Sequence, residues 1–169
     1  MLYLCKLITD WSGMKGIRIF ECRGLDSLVV IPEEIKGQPV IELAPYIFSA
    51  QKDYEPEDRS DAFWWGEGEP EELSIINGNA LTELKLPRTL KKVGAYGFYN
   101  CENLRSLELY STTMDWGAGV FTGCFGVEAI RIYVDETQKS CMKELLMELR
   151  QSLVVSYVGK GQAMLIFSD

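Results

Sequence analysis

A step of twenty-three residues carries the middle of this chain onto itself. Leu81, Leu84 and Leu86 fall on Leu104, Leu107 and Leu109, and then on Val127, Ile130 and Ile132. The same step takes Gly94 to Gly117, Phe98 to Phe121 and Cys101 to Cys124. Apolar residues at offsets 0, 3 and 5, followed by Phe and Cys, suit a leucine-rich solenoid with units of roughly 20–29 residues. Each unit ends its apolar run in alternation, as in Leu84-Lys85-Leu86, the period of a strand with one buried face. Strands in identical register stack as a parallel sheet about 4.8 Å apart. The return segments, carrying Val93, Phe98, Val120 and Phe121, must cover its inner face. A buried Leu or Ile contributes about 1.5–3 kcal/mol, yet one unit cannot dry its own face. Stacking is obligatory.

An earlier, less regular unit shares the landmarks. Val29-Val30-Ile31-Pro32 matches Leu84-Lys85-Leu86-Pro87, and the proline ends each strand by removing a ladder donor. Ala44-Pro45-Tyr46-Ile47-Phe48 matches Gly94-Ala95-Tyr96-Gly97-Phe98, with five extra residues around Ile35 to Pro39. Three units and the strand of a fourth run from about 28 to 133. Two apolar runs, 2–8 and 17–22, joined around Trp11-Ser12-Gly13, predict a hairpin that seals the first repeat. Met142, Leu145, Leu146 and Leu149 at helical spacing predict a helix over 136–150. Runs 153–158 and 164–167 about Gly159-Lys160-Gly161 predict a closing hairpin, its glycines a turn and not a phosphate loop. The expected fold is α/β: a short leucine-rich-repeat solenoid with one parallel sheet, an amino-terminal β-hairpin cap and a carboxy-terminal cap of helix plus hairpin. One domain, 1–169, divides into a cap (1–27), repeats (28–133) and a second cap (134–169).

Leu84-Lys85-Leu86-Pro87, then Val93 to Cys101 and Leu104, resembles the BspA-like bacterial leucine-rich repeat. Ile31-Pro32-Glu33-Glu34-Ile35-Lys36-Gly37-Gln38-Pro39-Val40 is similar to the form such proteins often use in their first unit. Two departures stand out: Tyr110 replaces the proline, and Met114-Asp115-Trp116-Gly117 replaces the usual turn. The resemblance implies a repetitive, often surface-exposed binding protein without catalytic residues.

Between the first and second units lies an excursion, residues 51–72, with nine acids against Lys52 and Arg59. It accounts for −7 of the chain's formal −8. An insertion of this length calls for a reason, and it holds three adjacent aromatics, Phe63, Trp64 and Trp65. One reading is a solvated loop with Phe63 and Trp65 docked on the solenoid flank. The other is a partner-binding lobe, tryptophan as anchor and carboxylates steering a basic partner. On the exposed sheet face, Lys85, Glu108 and Arg131 occupy equivalent places, with Glu83, Ser106 and Ala129 beside them. They read either as a cross-strand charge ladder of about 0.2–1 kcal/mol per pair or as the surface solenoids commonly use for binding.

The chain has no histidine and no Cys-x-x-Cys, so a zinc site lacks its usual ligands and a Ser or Cys nucleophile its commonest base. Neither a catalytic residue, a metal nor a cofactor is expected. Cys101 and Cys124 repeat in register as small core residues, and Cys5 and Cys22 read as thiols. A pI near 4.7 disfavours nucleic acid, which needs clustered Lys and Arg. No apolar window is long enough to span a membrane. The amino end lacks the pattern of a signal peptide, which leads to a cytoplasmic expectation, with the surface as the alternative the family implies. The expected function is a non-catalytic module binding an unidentified protein partner. The sheet face (Glu83, Lys85, Glu108, Arg131), the insertion (Phe63, Trp64, Trp65), or both would carry the contact. A structural unit is the alternative, an enzyme a distant third.

Overall fold

In the computed structural model, residues 1–50, 58–134, 153–159 and 162–167 are described. The chain opens with a hairpin of β1 (Leu2–Thr9) and β2 (Lys15–Arg23). Its turn is held by Asp10, whose carboxylate accepts the Ser12 and Met14 N–H groups at 2.9 Å and the Ser12 hydroxyl at 2.7 Å. After β3 (Leu28–Val30) comes a second, tight hairpin of β4 (Glu34–Ile35) and β5 (Gln38–Leu43). Lys36 and Gly37 between them both have positive φ, 52° and 74°, as a primed two-residue turn requires. This hairpin is where the extra residues of the first unit go.

The remaining strands are β6 (Phe63–Gly66), β7 (Glu83–Lys85), β8 (Lys92–Val93), β9 (Ser106–Tyr110), β10 (Asp115–Trp116), β11 (Ala129–Tyr133), β12 (Leu153–Gly159) and β13 (Gln162–Phe167). They build two sheets. In the repeat sheet, β3, β7, β9 and β11 run parallel, with Val29, Leu84, Leu107 and Ile130 side by side. In the return sheet, β2, β5, β8 and β10 run parallel, then β1 and β6 follow antiparallel.

The expectation of one parallel sheet is therefore corrected. The returns are extended at Val93 and Trp116 and pair with one another, which satisfies backbone groups that a loop would leave to water. The α/β class is corrected too. Among the described residues the helical content is two short 3₁₀ turns, Pro70–Glu72 and Gly78–Ala80, so the fold is a β-solenoid. The predicted helix over 136–150 lies outside the described residues. The two closing strands pair antiparallel and β13 joins β11, so they continue the repeat sheet.

The core lies between the sheets as columns of equivalent residues, one per turn. Phe48, Phe98 and Phe121 stack with centroids 5.9 and 5.4 Å apart. The Cys101 thiol donates to the Phe48 carbonyl at 3.3 Å, and Cys124 to that of Phe98 at 3.0 Å. Each repeated cysteine thus bonds the preceding turn. A second column is set by backbone conformation: Tyr46, Tyr96 and Gly119 all have positive φ, 59°, 55° and 63°. Coils pack closely at Gly94 and Gly117, where a Cβ would stand 2.3 Å from the Pro45 nitrogen and 2.4 Å from that of Ala95.

Candidate interaction surface

Alternation in the repeat sheet sends every second side chain to water. Lys85, Glu108 and Arg131 lie in one row across β7, β9 and β11, and Glu83, Ser106 and Ala129 in the next. Glu83 and Lys85 are exposed, and the residues on β9 and β11 are half-buried. On β3 the face continues as Leu28 and Val30, 38% and 51% exposed. One step further along, Tyr110 stacks on Tyr133, centroids 4.8 Å apart and planes 23° from parallel. Partial burial, with Tyr133 beside it, raises the Tyr110 phenol above its ordinary value, so it is neutral near pH 7. Among the described residues, Lys85, Glu108 and Arg131 form no ion pair. They stand in register but unbonded to one another.

The outer side of the return sheet carries a row that the sequence reading missed. Arg18, Glu42, Lys92 and Asp115 align across β2, β5, β8 and β10. Arg18 Nη2 lies 2.8 Å from Glu42 Oε2, and its Nε donates to the same oxygen at 2.9 Å. The row rims a cleft of about 270 Å³ floored by Gly94, Ala95 and Gly117. Glu42, Lys92 and Asp115 each precede Ala44, Gly94 and Gly117 by two residues, so the alignment already contained them. Strands of two residues, however, show no period to notice.

The aromatics of the insertion are also in a strand. Phe63, Trp64 and Trp65 form most of β6, which pairs with β1 at the far edge of the return sheet. All three are half-buried, and their rings are engaged. Trp65 lies 6.0 Å from the Tyr3 ring, the Arg23 guanidinium sits 5.0 Å over Trp64, and the Lys36 ammonium 4.0 Å over Phe63. Buried Glu21 anchors this end: Arg23 donates to it at 2.5 Å and Arg59 at 3.5 Å, while Arg23 also reaches the Pro70 carbonyl at 2.6 Å. The half from Asp58 onward is thereby docked on the hairpin, and Gln51 to Glu57 lie outside the described residues. The seven expected site residues fall in two places, four on the repeat sheet and three on the edge of the other.

Residues 74–149 match the family model for the BspA type leucine rich repeat region, a six-copy model. That stretch, under half of the chain, is similar to the BspA-type leucine-rich repeat family. Two solved structures are similar to the chain. One is a leucine rich cell surface protein from Faecalibacterium prausnitzii: TM-score 0.47, 16% identity, 81% of this chain and 32% of that one. The other is the T. pallidum leucine rich repeat protein: TM-score 0.38, 16% identity, 75% and 67%. This chain spans less than a third of the first, and at these scores neither likeness carries an argument about function. No curated protein matches the chain.

The repeat region is informative where it departs from its own period. Pro87 stops β7 at three residues, whereas Tyr110 lets β9 run to five and pair with Tyr133. The substitution lengthens the solvent-facing surface. Trp116, 9% exposed, takes the core place of Val93, rests 5.7 Å from Phe121 and donates its indole N–H to Thr113 at 3.2 Å. Among the described residues the thiols are held protonated by burial, Cys5 pushed up to about 11 and Cys124 to about 12, which leaves little thiolate for nucleophilic attack. Among the described residues no three of His, Cys, Asp and Glu converge as metal ligands, and no helix is long and apolar enough to cross a membrane.

Proposed function

We propose that this solenoid is a non-catalytic protein-interaction module whose partner docks on the open face of the repeat sheet. One observation carries the reading. Lys85, Glu108 and Arg131 stand in register on neighbouring strands, uncommitted to one another, beside the stacked Tyr110 and Tyr133. Interface anchors are enriched in Tyr and Arg, and charges of both signs in fixed register supply specificity and steering. The insertion aromatics support the reading less, because their rings already pack on Tyr3, Arg23 and Lys36. For location we propose the surface alternative that the family resemblance implies, rather than the cytoplasm.

The test is capture of a specific partner by the wild type, by Glu108→Lys and by Trp64→Ala, with each variant's fold checked by its unfolding midpoint. Loss with Glu108→Lys and retention with Trp64→Ala supports docking on the sheet face. The reverse pattern moves the site to the insertion. Self-association untouched by either change, with no other partner, favours the structural role.

A further inference from the structure

The cleft on the return sheet offers a second, smaller site. Its rim carries one charge per strand, signs alternating: Arg18, Glu42, Lys92, Asp115. The two halves of that rim differ. Arg18 and Glu42 are closed on each other at 2.8 Å, with Glu42 9% exposed, and form a fixed wall. Lys92 and Asp115 are exposed, adjacent across β8 and β10, and among the described residues form no ion pair. The floor between them carries no polar side chain, being lined by Leu43, Pro45, Gly94, Ala95 and Gly117. Stacking forces the two glycines, where a Cβ would stand against the backbone of the preceding coil. It does not force an ammonium and a carboxylate above them, since Val93 and Trp116 already secure the same strands through the core.

The geometry points to a binding site for a small zwitterion, a free α-amino acid. Its carboxylate would meet the Lys92 ammonium and its own ammonium the Asp115 carboxylate, with its side chain over the glycine floor. Because the four rim charges cancel, a simple anion or cation meets as much repulsion as attraction, whereas a ligand with both signs close together is matched. Adjacent strands stand about 4.8 Å apart, which favours the short charge separation of an α-amino acid over an ω-amino acid. The cleft of about 270 Å³ lies just under the range of roughly 300–1,000 Å³ that holds drug-sized ligands, so it suits something smaller.

The test is a titration of the intact chain with L-alanine and L-glutamine, read at the Gly94 and Gly117 amide resonances. N-acetyl-L-alanine and L-alaninamide, each lacking one charge, serve as controls. Saturable shifts are expected below about 10 mM, as for millimolar affinity. Binding should weaken about tenfold or more, the cost of roughly 1.4 kcal/mol, for both blocked forms and for Lys92→Met and Asp115→Asn. Glu108→Lys, on the other sheet, should change nothing here, which separates this site from the interaction face. Absence of saturable shifts with the free amino acids, or equal shifts with the blocked forms or with both rim variants, overturns the proposal.

Discussion

Both sheets of this solenoid stack equivalent residues in register, yet they treat charge differently. On the return sheet, Arg18 and Glu42 close at 2.8 Å with Glu42 nearly buried. On the repeat sheet, Lys85 and Glu108 are equally in register and do not close. Register alone does not make an ion pair. Glu42 sits where the coil shields it from water, so pairing with Arg18 is the way its desolvation is offset. Glu108 keeps enough water to be satisfied without its neighbours, and an exposed pair contributes only about 0–1 kcal/mol. The shielded pair closes, and the solvated row stays open.

The largest effect should come from the columns common to both sheets. Phe98→Ala removes the ring that touches Phe48 and Phe121, and should cost about 3–5 kcal/mol in a denaturant titration; a loss under about 1 kcal/mol would mean the columns are not the core. Next, Glu42→Ala removes the shielded carboxylate that pairs with Arg18 and should cost about 1–3 kcal/mol. Glu108→Ala, its counterpart on the repeat sheet, should stay within about 0.5 kcal/mol. Equal losses from the two glutamates would erase the distinction between the sheets. The last effect is with pH. Burial raises Cys124 from 9.0 to about 12 and Cys5 to about 11, so the folded chain holds protons that the unfolded chain releases. Their contribution to stability is full below pH 9 and falls as pH rises toward those values. Replacing Cys124 by Ser should flatten the part of the alkaline decline that this thiol causes, read from unfolding midpoints across that window.

Much of the repeat region was legible because its buried positions recur at a fixed step. Leu84, Leu107 and Ile130 were placed side by side from spacing, and so were Lys85, Glu108 and Arg131. The insertion was legible only as a break in composition. That Phe63 to Trp65 form a strand depends on β1 offering an edge, and that Trp64 is covered depends on Arg23, forty-one positions away. The second sheet was missed because strands of two residues have no alternation to detect.

Taken alone, the order of residues determined that equal steps become stacked turns, since a unit of this length can bury its leucines only against a neighbour. It also settled which side chains face inward, because a strand alternates. Tertiary structure alone decided what the returns do, where the insertion docks, and which charges close on one another. Those outcomes depend on distances and solvent exposure between segments remote in the chain, and local pattern holds no record of either.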